Sequence, residues 1–253
     1  MSDALKRQLE LLSVQIAEEK FGRKASWLLY SESSLDDLLA SRDIVFEKKT
    51  VDDSGWENLW QNYIEEGWLT EKVYYCFKEK TFDDGRIAVF INPSLAFGTG
   101  NHPTTRLAAR LLEKVAKAAV MLEIGTGSAI LAIMASKLGY KAVYACDNDI
   151  RALKNAKENI NSNCCDNIFL WAGSIRAVKP TFKPYLVAAN IISTALKEIH
   201  PYILRLHPKY IVYSGILKKE GSSFISSLDM HGYQPEEVLH SKEWSGIRLK
   251  AET

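Results

Sequence analysis

Val120-Met121-Leu122-Glu123-Ile124-Gly125-Thr126-Gly127 reads as an apolar strand that runs into a glycine turn. A largely apolar run suits a buried strand of a parallel sheet, and a Gly-x-Gly turn lets backbone approach a ligand beside the next helix N-terminus. Upstream lies Asn92-Pro93-Ser94-Leu95-Ala96-Phe97-Gly98-Thr99-Gly100-Asn101-His102-Pro103-Thr104-Thr105. This glycine-punctuated loop stops at two threonines suited to cap a helix over 106–117. The two stretches read as opposite walls of one ligand pocket.

Downstream the pattern alternates: helix 128–138, strand 142–146, helix 149–160, strands 168–171 and 185–190, helix 194–206, strand 210–214 and helix 219–230. Such alternation predicts an α/β fold, a doubly wound and mostly parallel sheet with right-handed crossovers and ligands at the carboxyl ends of its strands. Two further strand-like runs, 234–240 and 245–251, suit an antiparallel edge.

Upstream, Leu5, Leu9, Leu12 and Ile16 fall at helical spacing and predict a helix over 4–20, with a second over 34–40. These suggest a small helical cap or, alternatively, a substrate-recognition module. Trp56, Leu59, Trp60, Tyr63 and Ile64 mark an amphipathic helix over 54–68 whose aromatic stripe reads as core or docking surface. Runs 73–77 and 86–91 flank Asp83-Asp84-Gly85, which predicts a hairpin. The division expected is an N-terminal extension (1–53), a linker helix and hairpin (54–92), and the main domain (93–253).

The 253 residues are 47% hydrophobic and carry 32 basic against 31 acidic side chains, a formal charge of +1. That balance predicts no direct nucleic-acid or membrane binding. The charged N-terminus lacks a signal peptide's apolar centre, so the cytoplasm is the default location. Cys76, Cys146, Cys164 and Cys165 show no zinc-ligand spacing and are expected as thiols. His200, His207, His231 and His240 are expected at the surface or at helix ends.

Where a dinucleotide fingerprint would place its third glycine stands Ile130, which disfavours a nicotinamide cofactor and favours a nucleoside without a diphosphate. Asp147 closes the second strand, where a carboxylate accepts both hydroxyls of a ribose diol. Its alternative is a helix N-cap, a role open equally to Asn148 or Asp149. Asn190 ends an apolar strand and can offer a carbonyl to an amine without adding charge. His102 reads as a packing and hydrogen-bonding residue before a base, and Phe97 as a shield for the ligand or a plain loop anchor.

Ala96 to Thr105 reads AFGTGNHPTT, and this segment resembles the ribosomal protein L11 methyltransferase family. Further similarity lies in Gly127-Ser128, Ile130-Leu131-Ala132-Ile133, Ser214-Gly215-Ile216-Leu217 and Glu243-Trp244. The resemblance implies a seven-stranded class I methyltransferase sheet. It also implies S-adenosyl-L-methionine as cofactor and methyl transfer to lysine or N-terminal amines of ribosomal protein L11 by a monomer. Family positions for the cofactor match Thr105, Gly125, Asp147 and Asn190, with Asn190 also catalytic. Phe97, Gly98, Thr99, Gly100, His102, Glu123, Thr126, Gly127 and Ser174 complete the expected lining. The chain departs from the pattern at Ala129 (usually glycine), at Ser174 and Tyr185 (usually acidic), and in residues 1–50, which read as helical. Those departures leave two alternatives, another protein or small amine as substrate, or a non-catalytic cofactor-binding protein.

Overall fold

The computed structural model describes residues 15–21, 24–30, 39, 65–92, 100–115 and 119–252. The chain forms two compact units, Met1–Asp53 and Ser54–Thr253.

In the first unit, strands β1 (Gln15–Phe21) and β2 (Lys24–Tyr30) pair antiparallel from Gln15↔Tyr30 to Phe21↔Lys24. The helix expected over 4–20 is therefore overturned for 15–20. Cross-strand partners such as Ile16↔Leu29 and Ala17↔Leu28 override a helical period that only four apolar residues support. Leu39 is helical; the rest of the helix expected over 34–40 lies outside the described residues, as do residues 54–64 of the aromatic helix.

The second unit opens with a three-stranded sheet ordered β3 (Gly67–Trp68), β4 (Val73–Cys76), β5 (Ile87–Phe90). Gly67 and Trp68 are thus strand, not the end of a helix. β3 pairs antiparallel with β4, but β4 and β5 are parallel, so the expected hairpin is overturned. The turn at Asp83-Asp84-Gly85 exists, with Gly85 at φ +78°, yet it does not join adjacent strand ends. Phe82 folds back onto Trp68 and Tyr74, both ring centroids 5.8 Å away. Arg86 stacks over Trp68 and Phe82. This return delivers the Ile87 N–H to Lys72 O at 2.8 Å, beside the start of β4.

The main sheet has seven strands in the order β11-β12-β10-β9-β6-β7-β8. Five are parallel: β6 (Val120–Ile124), β7 (Ala142–Asp147), β8 (Ile168–Ala172), β9 (Leu186–Asn190) and β10 (Tyr210–Leu217). β12 (Trp244–Ala251) and β11 (Tyr233–Ser241) add the antiparallel edge. This is the α/β sheet expected from the sequence. Side chains alternate between two cores. Met121, Val143, Ala145, Leu186, Ala188 and Val212 face one, which also holds the small sheet and helices α1 (Pro103–Glu113), α2 (Ile130–Lys137) and α3 (Ile150–Ser162). Leu122, Ile124, Cys146, Val187, Ala189, Ile211 and Tyr213 face the other, under α4 (Ser193–Leu204) and α5 (Gly221–Ser227). Double-sided burial explains why these strands read as continuous apolar runs.

Two local corrections bear on the site. α1 begins at Pro103 with His102 as its N-cap, not at Arg106 with a threonine cap, and its last residue is Glu113. Proline at the first helical position has its φ already set and loses no needed N–H. His200 is buried, not superficial: Nδ1 lies 2.8 Å from Tyr213 Oη and Nε2 2.7 Å from Asp229 O. Burial pushes its pKa down.

α3 and its C-cap present three asparagines at helical spacing, Asn155, Asn159 and the C-cap Asn163. Asn163 accepts the Phe90 N–H at 3.0 Å and donates to Phe90 O at 2.6 Å. Asn159 accepts the Asn92 N–H at 2.8 Å and donates to Ser128 O at 2.9 Å. The end of β5 is thereby tied to α3 and to the turn before α2.

Candidate functional site

The carboxyl ends of β6, β7, β9 and β10 lie side by side, and α1 starts over them. At the end of β6 the Gly125 and Thr126 N–H groups donate to Cys146 O at 2.9 and 3.0 Å, binding the turn to β7. Gly125 (φ +72°) and Gly127 (φ +55°) both use the left-handed region, where a side chain costs about 1–2 kcal/mol. Ala129 adopts it too, at φ +63° and fully buried. Ala129 thus holds a left-handed conformation that glycine adopts freely and that an alanine holds only with strain.

Asp147 completes this half. Its Oδ2 accepts the Gly127 N–H at 2.9 Å and its Oδ1 the Asp149 N–H at 3.0 Å. α3 is capped by Asp149, which accepts the Arg151 N–H at 2.8 Å. Asp147 is thus not the cap, and each of its oxygens keeps a lone pair for an external hydroxyl. Its own carbonyl receives the Gly173 N–H at 2.9 Å. Ser174, next along, accepts the Arg176 N–H at 3.3 Å and caps a short 3-10 turn.

Glu123 is buried beneath the turn and accepts the Thr126 hydroxyl at 2.7 Å. Desolvation, opposed by that hydrogen bond and reinforced by the Asp147 charge, raises its pKa to about 8. A carboxyl that is 4.5 when free and about 8 in the fold stabilises fully below 4.5 and loses that contribution as pH rises to about 8. The slope is at most about 1.4 kcal/mol per pH unit. Glu123→Gln should therefore flatten the decline of melting temperature between those two pH values; parallel curves for variant and wild type would refute the assignment.

The other half is built on β9 and β10. Asn190 Nδ2 approaches Thr105 Oγ1 at 3.4 Å, a long contact, leaving Oδ1 available. His102 Nδ1 lies 2.8 Å from Thr104 Oγ1, and its ring meets Trp244 edge-on at 5.0 Å. Burial and then the Lys242 charge lower its pKa. Gly100 (φ +95°) rests on Tyr75 and Ile130; a Cβ there would lie 2.7 and 2.9 Å from their side-chain atoms. Phe97, Gly98 and Thr99 lie outside the described residues. Tyr185 packs edge-on against Tyr210 at 5.6 Å.

Three features escaped sequence reading. Ile150 and Ile192 are 74% and 67% exposed on the same sheet edge, just after Asp147 and Asn190. The signal was available, since each follows a polar strand end. Ile191 packs against two glycines, and only coordinates reveal that. Ser214 and Gly215 resembled the family without a role. Among the described residues no cluster suits a metal ion, and no helix is long and apolar enough to cross a membrane.

Residues 7–252 match the family model described as ribosomal protein L11 methyltransferase (PrmA), so most of the first unit falls within the family pattern despite its helical reading. A ribosomal protein L11 methyltransferase of Acetivibrio thermocellus is 34% identical over 79% of this chain and 65% of its own length. One from Clostridium perfringens is 34% identical over 87% of the chain and 70% of its length. The chain thus spans just under two thirds of the first relative. A crystal structure of ribosomal protein L11 methylase from Lactobacillus delbrueckii subsp. bulgaricus superposes with a TM-score of 0.68 at 27% identity, covering 75% of this chain and 100% of that one. The chain belongs to the ribosomal protein L11 methyltransferase family.

Proposed function

We propose that this protein transfers methyl groups from S-adenosyl-L-methionine to amines of ribosomal protein L11. The observation that carries this reading is the pairing of two chemistries on one sheet edge. Asp147 is a backbone-anchored carboxylate with lone pairs to spare, and Asn190 is an uncharged amide one strand beyond the Gly125 turn. The carboxylate fits a ribose diol, and left-handed Gly125 and Gly127 leave room for a nucleoside. Exposed Ile150 offers an apolar surface to a base, and Ser174 a hydroxyl to its edge. Thr105, Gly100, His102, Thr126, Phe97, Gly98 and Thr99 are assigned to the remaining lining, with Glu123 beneath the turn. Target choice is assigned to residues 1–53.

The cofactor, when bound, supplies an activated methyl group. What remains for the chain is alignment and deprotonation. A lysine amine of pKa near 10.4 costs roughly 5 kcal/mol to deprotonate at pH 7, against about 1 kcal/mol for an α-amine. Asn190 Oδ1 accepts an amine N–H and orients the nitrogen lone pair, while its lack of charge avoids holding the ammonium form as a carboxylate would. Thr105 holds the amide in that orientation.

Incubating the purified chain with labelled S-adenosylmethionine and ribosomal proteins should label L11; label appearing only on other proteins would reject L11 as substrate. Asn190→Ala should lower kcat about a hundredfold while moving cofactor Kd by about threefold or less. Equal losses in both would remove the orienting role.

A further inference from the structure

We infer that the Ser214-Gly215 bulge of β10 is the positioning element for Asn190, an inference that rests on the methyltransferase reading. β10 runs parallel to β9 with Ser214 opposite Asn190. On its other side the antiparallel register with β12 slips between Ser214 and Ile216, so Gly215 is the extra residue of a bulge. Bulges re-aim neighbouring side chains. Gly215 has φ +90°, and a Cβ there would overlap the Ile191 carbonyl oxygen and lie 2.8 Å from the Ile191 carbonyl carbon. The Gly215 backbone therefore packs directly on Ile191, the residue that follows Asn190.

Ile191 is held from its other side as well: a Cβ on Gly125 would stand 2.5 Å from Ile191 Cγ2. Ser214 ties in the remaining piece. It is fully buried and donates to Thr104 O at 2.8 Å, one residue before the threonine that meets the Asn190 amide. One dipeptide thus fixes both the chain leaving Asn190 and the helix start that orients its side chain. Neither residue reaches the Asp147 half, where Gly127 and Asp149 hold the carboxylate. The bulge contacts the nucleophile side of the site directly and meets the nucleoside side through Ile191, which touches Gly125.

Gly215→Ala in the full chain should lower kcat on L11 about a hundredfold, as expected for a displacement near 1 Å, while calorimetric Kd for S-adenosylmethionine stays within about threefold. Its crystal structure should show residues 190–192 displaced and Asp147 in place. Should that variant fail to fold, Ser214→Ala removes only a hydrogen bond and should lower kcat about tenfold at unchanged Kd. Turnover of Ser214→Ala within about twofold of wild type, or kcat, cofactor affinity and melting temperature falling together, would overturn the inference. A wild-type chain that neither binds cofactor nor labels L11 refutes the functional reading instead; the displacement of residues 190–192 then still decides what the bulge positions.

Discussion

Asp147→Ala is expected to raise the Kd for S-adenosylmethionine at least about a hundredfold, because a diol bound by a carboxylate gains two charge-assisted hydrogen bonds of about 1.5–3 kcal/mol each. The fold should survive. Of the two N–H groups that Asp147 accepts, that of Asp149 is exposed and that of Gly127 half-buried, so water replaces the carboxylate at about 1 kcal/mol per bond. Asp149→Ala is the matched control: it removes the cap of α3 and should cost about 1 kcal/mol of stability without touching cofactor affinity. Calorimetry on both variants decides. An unchanged Kd in Asp147→Ala, or an equal loss in the control, would move the nucleoside elsewhere.

Gly125→Ala should strongly destabilise the fold. Its φ of +72° is costly for any side chain, and the new Cβ would sit 2.5 Å from Ile191 Cγ2, which Gly215 prevents from retreating. Left-handed strain of about 1–2 kcal/mol and overpacking of about 1–3 kcal/mol predict a loss near 3 kcal/mol in urea unfolding. For a unit of this size that corresponds to roughly 9 °C in melting temperature. Turnover should fall with it, since Asn190 adjoins the displaced residue. A variant that melts within about a degree of wild type would show that the turn relaxes freely, and the two-glycine clamp on Ile191 would be wrong.

The parallel sheet was legible because burial on both faces leaves its mark in single strands: Val120–Ile124 is both the apolar run and the observed strand. The small sheet was not. Asp83-Asp84-Gly85 is a genuine local turn signal, but the parallel pairing of β4 with β5 depends on Phe82 folding back on Trp68 and Tyr74, a contact that local sequence does not encode. The first unit failed for a related reason, since strand pairing between 15–21 and 24–30 outweighed a sparse helical period. Among the proposed site residues, Asp147 could be singled out in the sequence because a carboxylate at a strand end has a chemical motive. Gly215 and Ile191 were opaque because their part is one of shape, and shape needs coordinates. His102 misled in a smaller way: two threonines are the better caps by composition, yet Pro103 starts the helix before them.

β5 is an outer strand of the small sheet, and such a margin ordinarily invites a foreign chain to add itself. Here the side-chain amides of Asn159 and Asn163 occupy the Phe90 N–H, the Phe90 carbonyl and the Asn92 N–H in the manner of a missing neighbour. A helix thereby supplies the hydrogen bonds of a further strand without presenting a free margin of its own. Replacing either amide with alanine would reopen this template, and self-association at high protein concentration is the form its loss would take.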